Sequence, residues 1–174
     1  MNQQNFEKLK TLKLAGMAES YELLFANPSF KDMTFDELFG ILIDHEVSLR
    51  NSNKMNRLLI QAKFPLKAAI EDILYHEDRK LNRELLMKLS AGSYILDGRD
   101  IIFKGLSGAG KTWFATAFGV QACRQNKKVQ YIRLPNLIEE FKLAKYQADG
   151  SYTKLIRKLT KVDLLILDEW LFYL

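Results

Sequence analysis

The chain has 174 residues, of which 48% are hydrophobic and 27% charged, and its formal net charge is +5 at pH 7. This size and apolar content suit one large domain or two small ones with a real core. The single cysteine, Cys123, excludes an internal disulfide, and His45 and His76 have no cysteine partners that would suggest zinc. The amino terminus is too polar for a signal peptide, and no apolar run approaches the roughly 18 residues of a membrane helix. We therefore expect a soluble, cytoplasmic protein with no membrane partner.

The first half of the chain is predicted to be helical. Apolar residues recur at three-to-five residue spacing from Leu9 to Phe25, which indicates one amphipathic helix with some slack near Gly16. A second helix should open at Thr34, where Glu37 completes a capping box, and run to about Ala62.

The boundary between the two halves is predicted from glycine content. A further helix is expected across roughly residues 79–90, and the stretch 91–98 that follows it contains two glycines and has no clear period. We therefore place an all-helical domain at residues 1–95 and a second domain at residues 96–174.

The second half opens with a predicted strand, a glycine-rich loop and a helix. Asp100–Lys104 is short and apolar, as a buried parallel strand should be, and Thr112–Gln125 contains no proline and reads as a helix. Between them GLSGAGKT matches the phosphate-loop pattern G-x-x-x-x-G-K-[ST]. Its residues are Gly105, Leu106, Ser107, Gly108, Ala109, Gly110, Lys111 and Thr112.

This loop predicts nucleoside triphosphate binding. Its glycines allow consecutive N–H groups to turn inward around phosphate oxygens, and the N-terminus of the following helix adds a favourable dipole. Lys111 can reach the β- and γ-phosphates, and the Thr112 hydroxyl is placed to ligate Mg²⁺. The alternative is a chance glycine-rich turn, or a chain that descends from a nucleotide-binding one.

The remaining sequence alternates between helix and strand. Val129–Leu134 is predicted as a strand, and a helix follows with Asn136 as its N-cap. A short basic helix is expected from about residue 152 to residue 160, and Asp163–Asp168 reads as a buried strand. Together with the earlier strand and helix, this β-α-β-α-β order predicts a parallel sheet with helices on its faces.

An acidic pair, Asp168 and Glu169, closes the last apolar strand. Because ligand groups collect at the carboxyl ends of parallel strands, we expect both carboxylates to meet the phosphates there. Asp168 would hold Mg²⁺, directly or through water, and Glu169 would orient and polarise the attacking water. For such a pair taken alone, an ordinary strand end is the alternative.

Basic residues concentrate in the second half, where residues 98–174 carry a net charge of +6 against −1 for residues 1–97. One cluster is interleaved with tyrosines and contains Lys142, Lys145, Lys154, Arg157, Lys158 and Lys161. Another, with Arg50, Lys54 and Arg57, falls on one face of the second predicted helix. Contact with the DNA backbone, largely independent of base sequence, is one interpretation of both clusters. A solvated helix face is the other.

The predicted first strand, GLSGAGKT, the helix after it and LLILDEW together resemble the ATP-binding domain of the IstB-like proteins. These are insertion-sequence transposition helpers related to the DnaC-type helicase loaders of the AAA+ class. LKTLKLAGMAESYELL, MTFDELFGILIDHE and RLLIQAKFP followed by AAIEDI resemble that family's helical leader, so the resemblance covers essentially the whole chain.

The resemblance implies an α/β fold of the P-loop NTPase, AAA+ type, with a parallel sheet flanked by helices and an all-helical amino-terminal domain. It implies ATP and Mg²⁺ as cofactors, DNA and a partner transposase as partners, and assembly into a homo-oligomer. The nucleotide contacts carry over to Gly105 through Thr112, and the roles in Mg²⁺ binding and water activation carry over to Asp168 and Glu169.

The chain departs from the family after Glu169, because only five residues follow it. The resemblance implies a further strand–helix–strand and a helical lid, with a sensor residue and an arginine finger. One of those strands would lie between the phosphate-loop strand and the acidic-pair strand. We therefore expect a sheet incomplete at the carboxyl terminus, with these two strands unpaired or paired directly, and little ATP hydrolysis. The alternatives are a DnaC-like helicase loader in replication and a non-catalytic, truncated nucleotide- or DNA-binding chain.

Overall fold

A computed structural model describes residues 2–30, 32–75, 80–147 and 149–170. In chain order the elements are α1 (Gln3–Thr11), α2 (Ala15–Ala26), α3 (Phe35–Ala62), α4 (Arg83–Ser90), α5 (Ser93–Leu96), α6 (Lys111–Arg124), β1 (Val129–Arg133), α7 (Leu134–Tyr146), α8 (Ser151–Leu159) and β2 (Leu164–Asp168). Short 3-10 helices lie at Pro28–Phe30 and Ile70–Asp72. The fold is therefore α/β with a small parallel sheet.

The chain divides into two compact units, residues 1–56 and 57–174. This division lies within α3 and reflects packing. The sequence-based division into residues 1–95 and 96–174 rests on glycine content and periodicity, and it stays a prediction.

The helix predicted from Leu9 to Phe25 is in fact two helices, α1 and α2. The break is at Lys13, which has a φ of 59°. There the Lys13 N–H donates to the Lys10 carbonyl oxygen and the Leu14 N–H to the Leu9 carbonyl oxygen, both at 2.9 Å. This pair of bonds closes a helix C-terminus around one left-handed residue, a position usually taken by glycine. Because lysine occupies this position here, the sequence-based prediction placed the irregularity at Gly16, three residues after the observed break.

Helices α2 and α3 approach each other closely at Gly16, where an added Cβ would lie 2.7 Å from the Glu46 Cα. The Glu46 carboxylate is buried, with 7% of the residue exposed, and accepts a 3.1 Å hydrogen bond from the Met17 N–H. Its other oxygen accepts from the Arg50 Nε at 2.5 Å. The N-cap residue of α2, Leu14, provides no side-chain hydrogen bond. The buried Glu46 carboxylate therefore takes the place of a cap by accepting from an N–H of the first turn.

The capping box predicted at the start of α3 is confirmed. The Thr34 Oγ1 accepts a 3.3 Å hydrogen bond from the Glu37 N–H, and Glu37 Oε2 accepts a 2.7 Å bond from the Thr34 N–H. These reciprocal bonds satisfy two backbone donors at the helix start. The helix ends at Ala62, as the sequence indicates.

The core of the second unit forms where α6 packs on the parallel pair β1 and β2. The strands are in register from Val129 beside Leu164 to Arg133 beside Asp168. The buried residues of this core are Leu58, Ala62, Ala122, Cys123, Val129, Tyr131 and Ile166. The register brings the carboxyl ends of both strands to one edge, beside the start of α6.

The prediction of a strand at Asp100–Lys104 is wrong. Within the described part of the chain the sheet contains β1 and β2 alone, and residues 100–104 pair with neither of them. Phe103 packs its ring on Phe114 and Phe118 of α6, with centroids 6.0 and 5.9 Å apart, while Ile102 is 76% exposed. A strand exists only when a neighbour supplies its hydrogen bonds, and apolar composition alone does not provide one.

Two helix starts also differ from prediction. Helix α7 begins at Leu134 with Pro135 in its first turn, where the missing proline N–H costs nothing, so Asn136 is not its N-cap. Helix α4 begins at Arg83 rather than residue 79, and the Asn82 Oδ1 caps it. Residue 79 and His76 lie outside the described residues.

Candidate functional site

The glycine-rich loop predicted to bind phosphate leads directly into α6. Gly108 and Gly110 have φ values of 77° and 86°, in the left-handed region that side chains disfavour. Gly110 immediately precedes α6, so the loop opens onto the free N–H groups of the first helical turn. Gly105 and the four residues after it are exposed. Loop and helix start thus form an accessible backbone geometry suited to an anion.

The Lys111 side chain folds back along this loop. Its Nζ donates to the carbonyl oxygens of Gly105 at 3.0 Å and Leu106 at 2.8 Å. The Lys111 side chain therefore links the end of the loop to its beginning and places a positive charge there. An anion in the loop would meet this charge together with the helix N-terminus.

Thr112 joins the start of α6 to the end of β2. Its Oγ1 donates to the Asp168 Oδ2 at 2.7 Å, although the two residues are 56 positions apart. The parallel sheet produces this contact, because the last residue of β2 lies at the sheet edge that faces the loop. Two of the sequence-predicted site residues are thereby brought together.

Asp168 accepts two further hydrogen bonds. The Tyr131 hydroxyl donates to the same Oδ2 at 2.6 Å, and the Glu169 N–H donates to the Oδ1 at 2.8 Å. Burial raises the pKa of Asp168, but the hydrogen bonds it accepts and the nearby Lys111 charge outweigh burial and hold that pKa below the ordinary value. The carboxyl group is therefore ionised at neutral pH.

Glu169 lies just beyond β2, with a φ of 58°. Its Oε1 accepts a 2.6 Å hydrogen bond from Arg133, which ends β1. The structure thus places Glu169 next to Asp168 but turns its carboxylate toward a cation. Arg133 therefore holds this carboxylate through one of its two oxygens.

Tyr131 and Arg133 are the site neighbours that sequence reasoning missed. Both lie on β1, which was predicted as a strand, but nothing in the sequence shows which residue faces Asp168. That information comes from the register, in which Arg133 pairs with Asp168 and Tyr131 lies two residues before Arg133. The period-2 alternation of a strand would have suggested that Tyr131 and Arg133 share a face.

The oxygen atoms at this edge fit Mg²⁺. A threonine hydroxyl and an ionised aspartate are hard oxygen ligands of the kind that Mg²⁺ prefers, and Mg²⁺ usually binds through few protein ligands together with water and phosphate oxygens. Within the described residues there is no group of three or more histidine, cysteine or acidic side chains that would form an all-protein metal cage. Thr112 and Asp168 are therefore the residues that could hold such an ion.

Five of the six residues of the predicted basic cluster lie on α7 and α8, and the sixth, Lys161, follows α8. Lys142 and Lys145 are exposed on α7, and the exposed basic residues of α8 are Lys154, Arg157 and Lys158. The two helices pack through Phe141 and Tyr152, whose ring centroids are 5.7 Å apart. Within the described part of the chain, none of the five basic side chains forms a salt bridge. Their charge is thus open to solvent.

The other basic cluster is partly used within the first unit. Arg50 donates to Glu46 and, at 3.4 Å, to the Lys13 carbonyl oxygen, so it joins α3 to the turn before α2. Its place in this network gives Arg50 a structural role.

Comparison with known proteins identifies the family. The family model described as IstB-like ATP binding protein matches residues 7–173. The chain is 38% identical over 171 residues to the predicted ATP-binding protein of insertion sequence IS1162 of Pseudomonas fluorescens. It is 39% identical over 164 residues to a predicted insertion-sequence ATP-binding protein, y4pL, of Sinorhizobium fredii, and 25% identical over 161 residues to that of IS21 of Pseudomonas aeruginosa.

These alignments cover 98%, 94% and 92% of the chain but 73%, 66% and 60% of the respective relatives. In the described residues no helix is both long and apolar enough to cross a membrane. With its family model matched over residues 7–173, the chain belongs to the IstB-like ATP-binding proteins.

Proposed function

We propose that this chain binds ATP with Mg²⁺ at the phosphate loop and acts as a DNA-associated helper in the transposition of an insertion sequence, together with a partner transposase. The 2.7 Å contact between Thr112 and Asp168 carries the proposal. It joins the phosphate loop to the acidic end of a parallel strand, which is the arrangement that ATP and Mg²⁺ require. The names of the relatives, which describe ATP-binding proteins of insertion sequences, support the cellular role.

Each site residue has a role in this proposal. Gly105 through Lys111 hold the phosphates, and Thr112 and Asp168 hold the metal ion. Mg²⁺, when bound, supplies positive charge that offsets the charge of the phosphate oxygens. Glu169 orients water for hydrolysis. The sheet is of the AAA+ type, with residues 1–95 as the helical domain and residues 96–174 as the nucleotide-binding domain.

A second candidate function is nucleotide-dependent binding without turnover. The ion pair between Arg133 and Glu169 favours it, because the guanidinium occupies one oxygen of the glutamate and competes for the carboxylate with an attacking water. A helicase-loading role in replication would use the same site and would differ only in partner.

The nucleotide proposal is tested with a fluorescent ATP analogue and the variant Lys111→Ala. Removing the ammonium should weaken ATP binding by about 10-fold or more, because hydrogen bonds to charged groups contribute roughly 1.5–3 kcal/mol. Lys104→Ala is the matched control, since it removes the same charge from an exposed residue just before the loop. Equal affinity in the wild-type chain and Lys111→Ala would refute a phosphate-binding role for the loop.

Turnover measured with and without DNA separates the two candidate functions. Phosphate release that DNA stimulates supports the ATPase helper. ATP binding with no release under either condition supports the non-catalytic candidate. Glu169→Gln should retain ATP binding and abolish any release, so release that persists in this variant would assign water activation to another residue.

The DNA proposal is tested through salt dependence. Replacing Lys154, Arg157 and Lys158 with glutamine should weaken DNA binding uniformly across sequences. The plot of log affinity against log salt should become less steep, by about 0.9 in slope for each phosphate that the helix no longer neutralises. Lys8→Gln and Lys88→Gln, which remove exposed charges outside both basic clusters, are the comparison. An unchanged slope in the α8 variant would show that this helix does not contact the DNA backbone.

A further inference from the structure

The hydrogen bond from the Tyr131 hydroxyl is the shortest of the three that hold Asp168. It reaches Oδ2 at 2.6 Å, and the same oxygen also accepts from Thr112 at 2.7 Å. The Glu169 N–H occupies the other oxygen at 2.8 Å. Of the three donors only Tyr131 comes from a neighbouring strand. Thr112 is a proposed metal ligand itself, and Glu169 is the next residue in the chain.

The position of this hydroxyl is fixed by the core. Tyr131 is only 8% exposed and belongs to the buried cluster between α6 and the two strands. In the sheet it lies directly beside Ile166, whose side chain shares the face of Asp168 two residues later. A ring packed in this way cannot turn without disturbing the core, so its oxygen stays at the sheet edge.

We propose that Tyr131 is a positioning residue for the Mg²⁺ site, which fixes the carboxylate of Asp168 in the orientation that metal binding requires. The inference rests on the proposed function and adds a residue outside the phosphate loop and the acidic pair. Residues that hydrogen-bond a metal ligand orient it and tune its affinity for the ion. The aspartate side chain has two rotatable bonds, and without Tyr131 only the bond from Thr112 would fix Oδ2.

Tyr131→Phe isolates this role, because it removes the hydroxyl and keeps the buried ring. We would measure binding of a fluorescent ATP analogue to the full chain, first in EDTA and then during titration with Mg²⁺. The variant should need about 10-fold more Mg²⁺ for half-maximal enhancement of nucleotide binding, the lower end of the loss seen when a ligand's supporting residue is removed. Its affinity in EDTA should match that of the wild-type chain, because the loop contacts to phosphate are intact.

Tyr94→Phe is the matched control. Tyr94 is also a buried tyrosine of the second unit, at 7% exposed, and it lies outside the site. This variant should show the Mg²⁺ dependence of the wild-type chain. Asp168→Asn provides the second arm, since adding Tyr131→Phe to it should cause no further change if both act through one carboxylate.

The outcomes separate the inference from the proposed function. If the wild-type chain binds no ATP, the proposed function fails and the inference fails with it. If it binds ATP but Tyr131→Phe leaves the Mg²⁺ dependence unchanged, only the inference is overturned. A parallel loss in EDTA and in Mg²⁺ would also overturn it, because general packing would then explain the effect. Tyr131→Met, which lacks the hydroxyl but fills much of the ring volume, decides the question if the phenylalanine variant does not fold.

Discussion

Gly16→Ala should destabilise the first unit, because the added methyl group would collide with α3. Its Cβ would lie 2.7 Å from the Glu46 Cα and 2.9 Å from both the Glu46 N and the His45 carbonyl oxygen. Carbon atoms in contact prefer about 3.5–4.0 Å, so the overlap with Cα is roughly 0.8 Å. All three atoms belong to the backbone, and no change of rotamer relieves the collision.

The magnitude follows from two opposing effects. Overpacking of this kind costs roughly 1–3 kcal/mol, and a shift of α2 would also lengthen the 3.1 Å bond from Met17 to Glu46. Replacing glycine by alanine in a helix returns about 1 kcal/mol at most. Because the three atoms met are all backbone atoms, we place the overpacking cost in the upper part of that range, at about 2–3 kcal/mol, and expect Gly16→Ala to lower the free energy of unfolding by about 1–2 kcal/mol.

Gly40→Ala is the matched control, because Gly40 lies on α3 and nothing lies within 4 Å of an added Cβ. This variant should raise the free energy of unfolding by about 0.5–1 kcal/mol through helix propensity alone. Urea unfolding followed by far-ultraviolet circular dichroism measures both changes. A Gly16→Ala chain as stable as the wild type would refute the close approach of α2 and α3.

Two other changes test buried polar groups. The Thr116 hydroxyl is fully buried and has no hydrogen-bond partner among the described residues. The nearly isosteric Thr116→Val should therefore raise the free energy of unfolding, measured in thermal melts, by about 1 kcal/mol. A decrease of that size would show that the hydroxyl has a partner. Burial raises the pKa of Glu46, but the hydrogen bonds from Arg50 and from the Met17 and Gly16 N–H groups outweigh it and lower that pKa below its ordinary 4.5. Its contribution to stability should therefore be complete above the unfolded-state pKa and be lost as pH falls through the lower folded-state value. Glu46→Gln should reduce the fall in melting temperature between about pH 6 and pH 3. If the variant shows the same fall as the wild-type chain, other groups cause the loss of stability in acid.

Local chemistry made several features readable from the sequence. A phosphate-binding loop at residues 105–112 could be predicted because three glycines, a lysine and a threonine at this spacing suit few other tasks, and it stays a prediction. The capping box at Thr34 and Glu37 could be predicted because its two hydrogen bonds join residues only three positions apart. The apolar runs that became β1 and β2 could be found within a residue of their observed ends.

Features that depend on partners distant in sequence could not be read in this way. Asp100–Lys104 has the composition of a strand but no neighbour to pair with among the described residues. Lys13 ends a helix in a conformation that glycine usually takes, and only the bonds it makes reveal this. Helix α7 starts before the predicted cap, Asn136, because β1 leads directly into it and Pro135 fits its first turn.

Residues that lie close together in the chain were enough to predict a phosphate-binding loop, an acidic pair at a strand end and most of the helices, together with the strands that became β1 and β2. The contacts by which Thr112 and Tyr131 donate to one oxygen of Asp168, and Arg133 to Glu169, could be seen only in the folded chain. These contacts require the register of a parallel sheet, in which a shift of one residue would turn every side chain of a strand to the opposite face.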